Sequence, residues 1–172
     1  MGLAGYAAVQ RSYALGVLWV VGFHCCLRSG EMFALRAGDI IFGQGSNYAV
    51  LNLRLTKTGA RRGAQESVTI SDSIVAAHLQ RVVRDLPPGQ LVCSLSGPSQ
   101  RQIFHEVCRE LQLDEHGYGM YSFRRGGATH DFSDCQLKAL DLEPCTLPTF
   151  EVAMAIPSLL KQQANLGGMM AL

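Results

Sequence analysis

Apolar residues recur at three- and four-residue steps over residues 4–24, with Tyr13, Val17, Val20, Val21 and His24 on one face and Leu18 and Trp19 widening it. This is the spacing of a helix that buries a stripe, and it predicts one helix across the segment. Leu27, Met32 and Leu35 share a side in residues 27–35, with Arg28 and Glu31 on another, so the helical pattern continues there. The period then changes. Residues 39–42 read as a short strand, and Gly43 and Gly45 stop it. Residues 48–55 alternate through Leu51, Leu53 and Leu55, and residues 65–70 alternate through Val68 and Ile70. These runs predict a small antiparallel sheet, with a glycine-bracketed basic turn, Thr56 to Gly63, between its last two strands.

Ser71-Asp72-Ser73 is good N-cap text. The helix after it carries Ile74, Val75, His78, Leu79, Val82 and Val83 and must stop before Pro87-Pro88. Residues 91–95 read as a short strand. Ser96 then opens a helix with Ile103, Phe104, Val107 and Leu111 on its apolar face. Gly117 and Gly119 break the chain before Tyr121, where another helix starts. Beyond Phe132 the pattern weakens, and Pro144, Pro148 and Pro157 interrupt every helix that could form. The expected fold class is α+β, mainly helical with a small antiparallel β-sheet. Residues 1–132 are expected to form the folded unit and residues 133–172 a divergent or poorly ordered tail.

Composition narrows this picture. Hydrophobic residues make up 48% and charged residues 17% of the 172-residue chain, enough for one core and too apolar for a disordered segment. The apolar run of residues 14–27 falls short of the roughly 20 residues that span a bilayer. Net charge is only +1, yet residues 1–131 carry 13 Lys/Arg against 10 Asp/Glu, and the remainder 2 against 4. The basic surplus lies where the motifs lie. The six cysteines include no pair at zinc-ligand spacing, so reduced, mostly buried thiols and no metal are expected.

Three segments, in order, carry the chemistry. Leu27-Arg28-Ser29-Gly30-Glu31-Met32-Phe33-Ala34-Leu35 is followed by Asp39-Ile40. Leu55-Thr56-Lys57-Thr58-Gly59 comes next, and Tyr121-Ser122-Phe123-Arg124-Arg125-Gly126-Gly127-Ala128-Thr129-His130 last. Together they resemble the catalytic domain of the tyrosine recombinase (phage integrase) family, in a form similar to eukaryotic mobile-element members.

The resemblance implies DNA strand cleavage and rejoining through a phosphotyrosine intermediate, with no cofactor or metal. It implies double-stranded DNA and other recombinase protomers as partners, no membrane association, and an intracellular, in eukaryotes nuclear, location. Arg28 and Arg124 match the arginines that hold the phosphate oxygens, where planar, bidentate, permanently charged donors suit a crowded anionic transition state. Lys57 matches the hairpin lysine that protonates the departing oxygen. Arg61, Arg62 and Arg125 are candidate DNA-backbone contacts. Glu31 is expected to support Arg28 structurally. The plain alternatives are that Arg28 caps a helix or snorkels, and that Lys57, Arg61 and Arg62 are solvated turn residues.

The chain departs from the family pattern at three places. Tyr121 stands where a histidine opens the third motif, and a phenol cannot shuttle protons near neutral pH. The later His or Trp has no counterpart. No tyrosine follows Tyr121, so the nucleophile is missing. On this resemblance the chain is a truncated or degenerate catalytic domain, inactive in isolation. The other readings are a catalytically dead DNA-binding remnant of a mobile element, a type IB topoisomerase-like fragment, and an unrelated α+β domain.

Overall fold

The computed structural model describes residues 2–43, 45, 47–54 and 66–139, with side chains as far as Asp131. The basic turn with Lys57, Arg61 and Arg62, and the tail beyond residue 139, lie outside the described residues.

Two helices stand where the periodicity predicts one: α1, Leu3–Gln10, and α2, Tyr13–His24. The break falls at Arg11 and Ser12, whose backbone N–H groups both donate to the Ala7 carbonyl. Ser12 then caps α2 by accepting from the Leu15 N–H at 3.4 Å. The two helices pack closely because Gly16 has no side chain. A Cβ there would lie 2.5 Å from the Ala4 carbonyl oxygen and from the Ala8 Cβ.

Helix α2 is buried nearly all round. Leu15, Val17, Leu18, Trp19 and Val21 are each at most 1% exposed. A central helix of this kind has no polar face, so the apolar stripe runs through the α1–α2 break without marking it. Each such side chain contributes roughly 1.5–3 kcal/mol by leaving water.

At its C-terminus α2 turns through Cys26, a non-glycine residue at φ 48°. The Cys26 N–H donates to the Phe23 carbonyl and the Leu27 N–H to the Gly22 carbonyl. This is a Schellman end, and the apolar residue it calls for is Leu27, 1% exposed. Helix α3 follows but is shorter than the pattern implied, at Ser29–Ala34.

A 3-10 turn, Ala37–Asp39, leads into β1 (Ile40–Phe42), β2 (Ala49–Leu53) and β3 (Glu66–Ile70), an antiparallel sheet in the order β1-β2-β3. Ile40 pairs with Leu51, Ala49 with Ile70 and Leu53 with Glu66. Ala49, Leu51 and Leu53 point into the core and the residues between them do not. The α+β class is as expected from the sequence.

Helix α4 (Ser73–Val83) begins where the cap text placed it, with the Asp72 carboxylate accepting from the N–H groups of Ile74 and Val75. Residues 91–95 do not form the expected strand. Leu91 makes one isolated bridge to Arg36, and the Val92 N–H reaches the Leu35 carbonyl. Among the described residues the only strand-like pairing is with the turn after α3, which is too short to extend a ladder. Gly38 lets this segment in, since a Cβ there would meet the Pro88 carbonyl oxygen at 2.8 Å.

Helix α5 (Gly97–Glu110) is capped by Ser96 and ends in a second Schellman turn, with Gln112 at φ 56°. Helix α6 (Tyr121–Ala139) closes the structure and continues past Phe132. Trp19 of α2, Phe104 of α5 and Phe123 of α6 form a ring cluster with centroids 5.5–5.6 Å apart, which bolts the three helices together. Among the described residues no helix is long and apolar enough to cross a membrane.

Candidate functional site

The short link between α2 and α3 carries Arg28, and the start of α6 packs against that link. The contact depends on two glycines. A Cβ on Gly127 would overlap the Phe23 carbonyl oxygen and lie 3.1 Å from the Cys26 Sγ. A Cβ on Gly126 would meet only the edge of the Phe23 ring, at 3.1 Å. Bare backbone at these positions lets α6 approach the end of α2 closely. The Arg124 guanidinium then reaches the Cys26 carbonyl and donates to it at 2.9 Å, across 98 positions of sequence.

Arg28 stands at the N-cap of α3. Its backbone N–H donates to Glu31 Oε2 at 2.7 Å and its guanidinium to Glu31 Oε1 at 2.7 Å. Glu31 is 5% exposed at its side chain and Arg28 41%, so a buried carboxylate aims a guanidinium whose outer edge stays in water. Hydrogen bonding to Glu31, then the Coulomb attraction of the same group, holds Arg28 more firmly in its charged form, with smaller contributions from Glu66 and Tyr121. The capping alternative for Arg28 therefore describes its backbone, and the expected support from Glu31 is present. Among the described residues Glu31 is the hydrogen-bond partner of the guanidinium, through one of its nitrogens.

Tyr121 is 62% exposed and within electrostatic reach of Arg28. It lies one helical turn from Arg124 and from Arg125, which is exposed. Glu66 opens β3, so one end of the segment carrying Lys57, Arg61 and Arg62 starts within the same electrostatic reach of Arg28. Tyr121 is thus within electrostatic reach of Arg28, Arg124 reaches the backbone two residues before Arg28, and Arg125 is the exposed residue after Arg124 on α6, while Lys57, Arg61 and Arg62 fall outside the described residues.

Behind Glu31 a cavity of about 280 Å³ runs between α3, the 3-10 turn and β2. Its second buried acid, Asp39, 4% exposed, accepts from the Arg36 N–H and from Arg54 Nε. Its acids are already paired, so this cavity is part of the support for the sheet.

Two participants were not read from the sequence, the Cys26 carbonyl and Gly127. The Gly-Gly pair behind two arginines was the available signal. The Cys26 thiol lies 3.9 Å from Asp131 Oδ2. Partial burial first, then Asp131, raises its pKa against the lowering by Arg124. It is therefore not an activated nucleophile. Cys25, Cys93 and Cys108 are buried free thiols, all raised chiefly by burial. Among the described residues no cluster of His, Cys, Asp and Glu could hold a metal ion. What the described residues offer chemically at this junction is two guanidinium groups, each aimed by a hydrogen bond, one to the Glu31 carboxylate and one to the Cys26 carbonyl.

No protein-family model, curated protein or solved structure matches the chain.

Proposed function

We propose that this chain binds duplex DNA through its phosphate backbone at Arg28, Arg124 and Arg125, as a tyrosine-recombinase-like catalytic domain that does not cleave the strand by itself. The observation that carries the reading is the Arg124–Cys26 contact, which sets Arg124 against the backbone two residues before Arg28. A buried glutamate aims one arginine and a backbone carbonyl aims the other. Rigid, pre-aimed guanidinium groups are what phosphate capture needs. Lys57, which lies outside the described residues between β2 and β3, would add a fourth cation on the resemblance.

Cleavage by this chain is not proposed. The 172 residues hold no tyrosine after Tyr121, so the proposal is confined to binding. The test combines a labelled duplex, a series of salt concentrations, the wild-type chain and Arg124→Ala, with a denaturing gel for covalent adducts. The reading predicts binding that weakens steeply with salt, weaker binding by Arg124→Ala, and no adduct. Salt-insensitive binding, or equal binding by both proteins, would contradict it. An adduct would show that the chain contains a nucleophile after all.

A further inference from the structure

Among the described residues Tyr121 is the most exposed large hydrophobic residue, at 62%, and arginines stand near it in space or along its helix. Arg28 is within its electrostatic reach, and Arg124 and Arg125 follow it by three and four positions on α6. Elsewhere in the fold, arginines cover aromatic faces: Arg81 lies over Tyr13 at 5.5 Å and Arg101 over Phe33 at 5.1 Å. Among the described residues neither a guanidinium nor another ring covers Tyr121 in this way. A second exposed ring, Tyr118, 46% exposed, precedes it across Gly119. The acids nearest Arg28 do not rule out a polyanion, because Glu31 is buried and already spent on Arg28, leaving Glu66 as its other acidic neighbour.

An intact duplex keeps its base faces stacked on one another and offers this ring nothing but backbone. An unpaired base offers a π-face. A free aromatic ring flanked by cations that follow the backbone is the arrangement by which proteins hold single strands. We infer that the junction takes DNA with an unpaired nucleotide, whose base stacks on Tyr121 while its flanking phosphates sit on Arg28, Arg124 and Arg125. This inference rests on the phosphate-binding reading above and names the form of DNA that the site prefers.

The test uses the full chain and one fluorescein-labelled, mixed-sequence deoxyoligonucleotide, offered single-stranded and annealed to its complement. Binding is measured for the wild type, Tyr121→Phe, Tyr121→Leu and Arg124→Ala, each shown by circular dichroism to be folded. Tyr121→Leu should weaken single-strand binding about tenfold, the worth of one stacked base, and leave duplex affinity where it was. Tyr121→Phe should keep both affinities, because the ring and not the hydroxyl does the stacking. Arg124→Ala should weaken both. The inference is overturned if Tyr121→Leu changes neither affinity or both equally, or if Tyr121→Phe behaves as Tyr121→Leu. In those cases duplex binding that still depends on Arg124 leaves the phosphate reading standing. If Arg124→Ala changes neither affinity, both fail.

Discussion

Gly127→Ala and Gly126→Ala are neighbouring, chemically identical changes that should move stability in opposite directions. In a helix, alanine is about 1 kcal/mol better than glycine, and both variants gain this. The difference lies in what the new methyl meets. At position 126 it faces the Phe23 ring edge at 3.1 Å, and a half-buried ring can tilt aside. At position 127 it lies 3.0 Å from the Phe23 carbonyl carbon and overlaps the carbonyl oxygen, which belongs to the last turn of α2 and already accepts from the Cys26 N–H. Overpacking costs about 1–3 kcal/mol, and backbone that cannot yield puts this site at the upper end. Pushing α6 away also gives up the Arg124–Cys26 hydrogen bond, worth about 1 kcal/mol or somewhat more. The net expectation is a loss of about 3 kcal/mol for Gly127→Ala and a change between zero and a gain of about 1 kcal/mol for Gly126→Ala. In a chain of this length the first corresponds to a fall in Tm of about 6–12 °C. Urea and thermal unfolding followed by circular dichroism measure both. Equal stabilities, or a Gly127→Ala protein more stable than Gly126→Ala, would refute the close approach of α6 to α2 and with it the placement of Arg124.

Cys26 occupies a left-handed position that favours glycine, so Cys26→Gly should raise the urea midpoint, by up to about 1 kcal/mol of stability. A lower midpoint would mean that its side-chain packing outweighs the backbone strain. His24 and His78 have pKa values lowered mainly by burial, the former against the pull of Asp72 and Asp131 and the latter with help from Arg81. Both are favoured neutral in the folded state. Their contribution is whole above the unfolded value of about 6.5 and is lost as pH falls through their lower folded values. Unfolding midpoints should drop between about pH 7 and about pH 5, and His24→Gln should flatten that slope. A slope unchanged by the variant would remove His24 from the account. Burial pushes the Cys25 thiol up to about 12, so it should resist alkylation in the folded protein and react once urea unfolds it. Rapid native labelling at Cys25 would contradict its burial.

Local chemistry explains which elements could be read in advance. Asp72 and Ser96 announced α4 and α5 because a side-chain oxygen before an apolar-periodic run has one obvious use, and both cap as that rule requires. The three strands showed through alternation at Leu51, Leu53 and Val68. The α1–α2 break did not show, because α2 is apolar on every side and Ser12 was hidden inside an unbroken pattern. The short strand expected at residues 91–95 failed for a non-local reason, the lack of an extended partner beyond Arg36. At the site, the residue types of Arg28, Glu31, Tyr121 and Arg124 were legible and so was the pairing of Glu31 with Arg28. The Arg124–Cys26 bond was not legible. It arises from a left-handed Cys26 and a bare Gly127 that meet only after α2 and α6 dock around Trp19, Phe104 and Phe123.

The central claim is that Arg28 and Arg124 act on one phosphate site, and a double-mutant cycle on duplex binding tests it most directly. Arg28→Ala, Arg124→Ala and the double variant are compared with wild type at one fixed salt concentration. Two groups that hold the same anion should couple by at least about 0.5 kcal/mol, so that the double variant loses less than the two single losses combined. Strictly additive losses would place the arginines at separate contacts, and undiminished binding by the double variant would leave the shared motifs without a role in DNA recognition.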